Sequence, residues 1–373
     1  MPPKPPLLMH TTWSPGRAAF AMAATSASTV SATTACPPIG SSASRALGRT
    51  ARFVASKFRP DATLLMGDQV YLDAPFYKFI YPRRNRSLAR TFLQNYADTW
   101  GQNGDGVGFH QVLSNGPNVF TADDHEFWNN APFPSFAANS VLKGSRKAWF
   151  DMALGLYRAF QTEAPLVQSL EIGELSIRMV DTRVARSDDR TTLIPDSEMD
   201  DLEAWIRGLR APGILAIGQP VFAAPAGFLS KLADWNLPDF TQYERLCKAL
   251  LEAPQSVLIL TGDVHFGRAA RVVTDRGAEI VEIVASPMSL VTGLGGRGWH
   301  AAPPKLPAHA IKKVASQEIE RLGTWERAED HFLILELWST GGGLGVRGHS
   351  FEANPKGTPP SNPVFTHTFR RQA

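Results

Sequence analysis

Short apolar runs recur along the chain, and four of them break at an acidic or histidine-bearing turn. Leu64-Leu65-Met66 leads into Gly67-Asp68-Gln69-Val70-Tyr71-Leu72-Asp73, and residues 118–122 lead into Asp123-Asp124-His125-Glu126. Residues 176–180 lead into Asp181-Thr182-Arg183, and residues 256–261 into Gly262-Asp263-Val264-His265-Phe266. Unbroken apolar runs of this length read as strands buried on both faces, the habit of parallel sheets. Each delivers a carboxylate or an imidazole just past a strand's carboxyl end, the edge at which open α/β sheets hold ligands. One such turn can be a plain helix cap. Four converging on one edge have the composition of a two-metal hydrolase site.

Between these runs the apolar period changes to that of amphipathic helices. Helices are expected over 42–58, with Leu47, Ala51, Val54 and Phe58 on one face, and over 88–100, with Phe92, Tyr96 and Trp100 aligned. Further helices are expected over 145–160, 196–209 and 239–251, where Tyr243, Leu246, Cys247 and Leu250 point inward. Residues 30–36 and 214–217 read as two more strands. The alternation then gives way to strands at 271–273, 279–284, 332–338 and 345–350, with a Gly-, Pro- and Trp-containing loop at 293–307. The class is α/β, with a mobile extension at 1–29, one domain over 30–350 and a loop-like tail at 351–373.

Composition narrows the function. Of 373 residues 43% are hydrophobic and nine are Trp, enough for a large core and too apolar for disorder. The net charge of +3 tolerates an anionic substrate, but no basic tract of the nucleic-acid kind is present. No apolar run reaches the length of a membrane span. Two Cys exclude a disulfide framework and leave Cys36 open between a ligand and a small buried residue. The start of the chain carries neither a twin-arginine pair nor a clear cleavage site, which favours the cytoplasm over export. Oligomeric state is not written in the sequence.

Taken in order, the four motifs resemble the PhoD-like alkaline phosphatase family of the calcineurin-like metallophosphoesterase superfamily, over about residues 36–338. The resemblance implies a two-sheet sandwich flanked by helices (α-β-β-α). It also implies a metal-dependent phosphoester hydrolase, in which metal-activated hydroxide attacks the phosphorus of a monoester or diester. Asp68 resembles the aspartate that bridges two metals, and Asp124 stands where the superfamily often has Asn. Asp263 and His265 resemble two late ligands, and Cys36 matches a cysteine that ligates iron. His125 resembles the histidine that assists the leaving group. Arg183 is the expected partner for charge on the phosphoryl oxygens, and Tyr71, Asp73, Asp123 and Asp181 are further possible ligands. Iron with calcium is the metal pair implied, with manganese or zinc as alternatives. Such proteins also carry an amino-terminal β-sandwich, whereas 35 residues precede Cys36 here. Pro-Pro-Ile-Gly after Cys36 departs from the pattern. The alternatives are a phosphodiesterase or phospholipase D-like enzyme on the same metals, and a non-catalytic metal-binding scaffold.

Overall fold

The computed structural model describes residues 28–33, 60–73, 85–101, 109–114, 117–133, 146–172, 175–226, 235–285, 301–327, 331–340, 343–352 and 363–372. The strands are β1 (Ser28–Thr33), β2 (Ala62–Met66), β3 (Asn118–Thr121), β4 (Val167–Ile172), β5 (Leu175–Val180), β6 (Gly213–Ile217), β7 (Val257–Thr261), β8 (Gly267–Val273) and β9 (Glu279–Val284). Beyond them lie β10 (Lys305–Leu306), β11 (Gln317–Glu318), β12 (Glu320–Arg327), β13 (His331–Ser339), β14 (Gly343–Glu352) and β15 (Phe365–Arg370). The α-helices are α1 (Asn85–Trp100), α2 (His110–Leu113), α3 (Arg146–Phe160), α4 (Asp196–Arg207) and α5 (Gln242–Leu251).

Two sheets stack face to face. One has the order β15-β14-β13-β1-β2-β3 and the other β12-β8-β9-β7-β6-β5-β4. In the first, β1, β2 and β3 are parallel, with Leu64 opposite Val119. In the second, β5, β6, β7 and β9 are parallel, with Leu215 opposite Ile259 and Leu260 opposite Ile283. The period-2 pleat explains the unbroken apolar runs. Leu64 and Met66 point between the sheets with Ile177, Ile214, Leu258 and Leu335, while Leu65 faces outward onto Phe109, Val112 and Phe351. On the far side of the second sheet, Leu215, Ile217 and Ile259 meet Leu202 and Ile206 of α4 and Leu246 and Leu250 of α5. This is the α-β-β-α arrangement expected.

The four runs that organise the sequence are β2, β3, β5 and β7, and the expected helices at 88–100, 145–160, 196–209 and 239–251 appear as α1, α3, α4 and α5 with shifted ends. Burial pushes the Cys247 thiol up to about 12, the behaviour of a core residue. The aromatic row of α1 is packing, since Phe92 meets Trp149 edge-on at 4.9 Å and Tyr96 stacks on Phe160. Some elements differ from expectation. Residues 365–370 are not loop but β15, because Phe365 and Phe369 enter the core between the sheets. β4 and β12 went unread because exposed polar residues interrupt their apolar pattern. Cys36, the helix at 42–58 and most of the 293–307 loop lie outside the described residues.

Candidate metal centre

Parallel strands from both sheets end at one edge of the sandwich, and the acidic turns meet there. The Gly218 position, just past β6, lies against the carbonyls of Met66 and Ala122 from the other sheet. Oxygens of Asp68, Asp123, Asp124 and Asp263 all lie within 4.8 Å of one another, and Asp68, Asp124 and His125 form an overlapping group. Asp68, Asp123 and Asp124 are 4%, 2% and 1% exposed. Carboxylates that close and that buried repel one another and have lost hydration, so the arrangement needs positive charge.

The turns are held in conformations that ordinary sequence disfavours. Gly67, Asp68, Asp263 and His265 have φ of 99°, 57°, 65° and 51°. For non-glycine residues this left-handed region costs of order 1–2 kcal/mol each, and such residues gather at functional sites. Gly67 is required twice over, since a Cβ there would also collide with the Cβ and backbone of Asp123. It is what lets the β2 and β3 turns touch.

Glu126 joins those two turns from beneath. Its Oε2 accepts from the backbone N–H of Asp68 (2.8 Å) and Asp123 (2.9 Å), and its Oε1 from that of Gln69 (2.6 Å). Helix α1 braces the same loop, with Asn95 donating to the Tyr71 carbonyl at 3.0 Å and the Trp100 indole donating to that of Gln69 at 3.0 Å. From the second sheet, Arg186 donates to Gln219 (2.8 Å) and Gln219 to Asp263 (2.9 Å), which fixes the fourth carboxylate. The Asn130 N–H donates to Asp124 at 2.6 Å.

His125 is the cationic partner on the open side. Its Nδ1 lies 2.8 Å from Asp73 Oδ1, its backbone N–H donates to Asp68 at 3.2 Å, and its ring stacks on Tyr71 at 3.9 Å. Burial pulls the imidazole down, yet Asp73, Asp124 and Asp68 together hold it well above its ordinary value. Burial alone would push Asp124 up, but His125, Arg183 and the Asn130 N–H hold it low. Burial pushes Asp68 well up; His125 pulls the other way, and Asp124, Asp123 and Glu126 add to the rise. Burial pushes Glu126 up to about 8, against the pull of its three N–H donors.

The residues present fit a cation. Asp123 Oδ2 is buried with no hydrogen-bond partner and belongs to the four-carboxylate cluster. All-oxygen donors with an imidazole alongside suit hard or borderline divalent metals such as calcium, manganese, iron or zinc.

Not every expected residue takes the expected place. Asp68, Asp124, Asp263 and the additional Asp123 converge. His265 lines the same cleft, outside both clusters. Asp73 stands behind His125 as its orienting carboxylate and also accepts from the Asn129 N–H at 2.7 Å. Asp181 accepts from Ala122 N (3.0 Å), Tyr157 Oη (2.8 Å) and Arg183 N (2.9 Å), which ties β5 to β3. Tyr71 places its hydroxyl 3.3 Å from Asp68. Arg183, expected on the phosphoryl oxygens, is 2% exposed, pairs through Nε with Asp123 and donates to the Ala131 carbonyl at 2.9 Å. Two buried acceptors, the Asp123 carboxylate and the Ala131 carbonyl, engage the guanidinium. Sequence reading missed the roles of Glu126, Gln219, Arg186 and Asn130. Glu126 was signalled by its place in the Asp-Asp-His-Glu run, and the others carried no local signal.

A sequence model of the PhoD-like phosphatase family matches residues 32–210. The matched segment includes Asp68, Asp123, Asp124 and His125 and ends before Asp263 and His265, which the fold returns to the same edge. No curated protein matches the chain in sequence. Among solved structures, PhoD superposes with a TM-score of 0.61 at 16% identity, covering 93% of this chain and 70% of that one. A purple acid phosphatase from yellow lupin (Lupinus luteus) seeds superposes with a TM-score of 0.51 at 12% identity, covering 93% of this chain and 54% of that one. Likeness at that identity speaks for the fold, while the sequence match supports a phosphoesterase. The chain thus resembles the PhoD-like phosphatases in sequence over residues 32–210 and has the metallophosphoesterase-type fold.

Proposed function

We propose that the chain is a metal-dependent phosphoester hydrolase. The observation that carries this reading is the close meeting of Asp68, Asp123, Asp124 and Asp263, with an unpartnered Asp123 oxygen among the described residues, where Asp68, Asp124 and Asp263 line an open cleft. The cleft has a volume of about 520 Å³ and also contains His125 and His265. Cations held by those carboxylates would supply Lewis acidity toward phosphoryl oxygen and a water acidified to near neutral pH.

The chain's own groups do the rest. Asp73 fixes His125 with Nδ1 inward, which leaves Nε2 as the atom that can give a proton to a departing alkoxide or phenoxide. The raised pKa keeps that proton in place at neutral pH, an effect reduced when Asp68 and Asp124 are neutralised by cations. Tyr71 packs against the ring and hydrogen-bonds Asp68, so acid and ligand are positioned together. Arg183 neutralises Asp123 from behind.

Metal analysis of gently purified protein, paired with hydrolysis of aryl phosphate mono- and diesters, tests the reading. Chelator-sensitive turnover of one ester class with metal near stoichiometry is expected. Absence of metal even after reconstitution with iron, calcium, manganese or zinc would sink it. His125→Ala should retain metal and lose rate, most of all with poor leaving groups. Full activity of that variant toward such esters would remove His125 from its role.

A further inference from the structure

One side of the cleft is a shelf made of small apolar residues. Pro220, Ala223, Ala224 and Pro225 line it from the loop after β6, and Ala301 and Pro303 line it from the segment before β10. The same cleft ends at Asp68, Asp124, Asp263 and His125, so the shelf continues directly from the candidate metal centre.

The loop behind the shelf is clamped by side chains rather than by a sheet. Glu282, fully buried on β9, accepts from the N–H of Val221 (2.6 Å) and Phe222 (2.8 Å). Arg268 pairs with Glu282 at 2.9 Å and donates to the Phe222 carbonyl at 2.9 Å. Tyr243 Oη donates to the Val221 carbonyl and Asn236 Nδ2 to that of Ala224, both at 2.8 Å. Asp239 accepts from the Ala226 N–H at 3.0 Å. The N–H and carbonyl of Val221 and Phe222, the Ala224 carbonyl and the Ala226 N–H are therefore satisfied by side chains, and the Phe222 ring is buried in the core below. What remains toward the cleft is mostly methyl and pyrrolidine surface, with Ala224 and Pro225 exposed.

Charge points the same way. Among the described lining residues Arg268 is the sole Lys or Arg, and it is already engaged by Glu282 and Phe222. A second phosphate or a carboxylate on the substrate would meet apolar surface and acidic ligands. A rigid apolar surface beside a polar reaction centre is how a site selects for a hydrophobic group.

Resting on the hydrolase reading above, we propose that the phosphoester taken by this cleft carries an apolar organic substituent, aryl or branched alkyl, seated on the Pro220–Ala226 and Ala301–Pro303 shelf.

Matched ester pairs test it, because within each pair the leaving group is kept nearly constant. Methyl and benzyl 4-nitrophenyl phosphate are the diester pair. In each the bond from phosphorus to the nitrophenyl oxygen breaks, water oxygen takes its place, and nitrophenolate leaves. The phosphates of p-cresol and 4-tert-butylphenol are the monoester pair. With the full chain reconstituted with manganese or zinc, kcat/KM should favour the bulkier member at least tenfold in whichever class is turned over. Benzylphosphonate should bind at least fivefold more tightly than methylphosphonate by calorimetry, a readout that needs no turnover. Ala224→Asp and Ala224→Lys, at an exposed position, should both bring the kcat/KM ratio toward one, the pair separating lost apolar contact from the sign of the new charge. A ratio near one in the wild type, or one unmoved by both substitutions, overturns the shelf and leaves the hydrolase reading standing. Failure to turn over either class under any metal overturns both.

Discussion

Glu126 touches no substrate, yet its removal should be among the most damaging single changes near the site. Glu126→Ala takes the acceptor from three buried N–H groups, those of Asp68, Gln69 and Asp123. A buried donor left without a partner costs about 1–3 kcal/mol, so three cost roughly 3–6 kcal/mol once some relaxation is allowed. Part of that is spent by local opening of the two turns rather than by global unfolding. Opening moves Asp68 and Asp123 apart, so the loss should appear chiefly as metal affinity, falling by about a hundredfold if some 2.7 kcal/mol falls on the metal-competent arrangement. Glu126→Gln is the sharper probe. Its amide oxygen can still accept from Asp68 and Asp123, but its NH₂ then faces the Gln69 N–H, donor against donor. An intermediate loss is expected.

The assay is competitive metal titration followed by thermal melting of the metal-free forms. Glu126→Ala should bind metal far more weakly, Glu126→Gln about tenfold more weakly, and both should melt below the parent. Metal affinity within a factor of three and a melting point within a degree of the parent would refute the reasoning. A pH dependence accompanies it. Burial holds Glu126 at about 8 in the folded metal-free chain, above the usual value of a Glu in the unfolded one. The folded state therefore binds the extra proton, and its stability falls as pH rises from about 4.5 toward 8. Glu126→Gln should flatten that part of the stability profile in chelator-treated protein.

Other expectations are simpler. Gly67→Ala combines a positive φ with a collision at Asp123, and it should lose several-fold or more in metal affinity while the circular dichroism of the sheets is kept. Asp68→Asn should abolish metal retention measured by elemental analysis. Asp73→Asn should keep the metal but lower turnover most for esters of weakly acidic alcohols, seen as a steeper dependence of rate on leaving-group pKa. Chelation of the holo form should lower its melting temperature, since ligand at a hundred times Kd adds about 2.7 kcal/mol.

Much of this was legible in the sequence because it depended on short-range pattern. Apolar runs ending in Asp or His gave β2, β3, β5 and β7 and the carboxylates past their ends, most clearly at β2 and β7, which are buried along their whole length. β4 and β12 were hidden because edge strands carry exposed polar residues that dilute the signal. β15 was hidden among prolines, its Phe365 and Phe369 meaningful only with β14 beside them. Within the site the sequence offered which residues carry chemistry but not which way they face. Arg183 and Asp181 sit in the right motif, yet one lies behind Asp123 and the other ties two strands together. That orientation follows from long-range partners such as Ala131 and Tyr157, far from either motif. Gln219 has no motif of its own and is placed only by Arg186 and Asp263.

Charge explains why the fold and the reading belong together. Asp68, Asp73, Asp123, Asp124, Glu126 and Asp263 crowd one edge, and among the described residues His125, Arg183 and, through Gln219, Arg186 bring positive charge to them. Inside a sandwich a surplus of carboxylates is not stabilised by solvent, and hydrogen bonds from backbone N–H to Glu126, Asp124, Asp73 and Asp68 offset part of it. Asp123 keeps an oxygen with no hydrogen-bond partner among the described residues. A chain evolving for stability alone would relieve such a cluster by replacing one acid with an amide, because removing a like charge from a buried group lowers the free energy of the fold. Two turns held by four positive-φ residues, a glycine with no room for a Cβ, and a glutamate engaged by three backbone donors all work to keep the acids close. The expense is intelligible when positive charge completes the site, and the phosphoester hydrolysis proposed above is one chemistry that such charge at an open cleft serves.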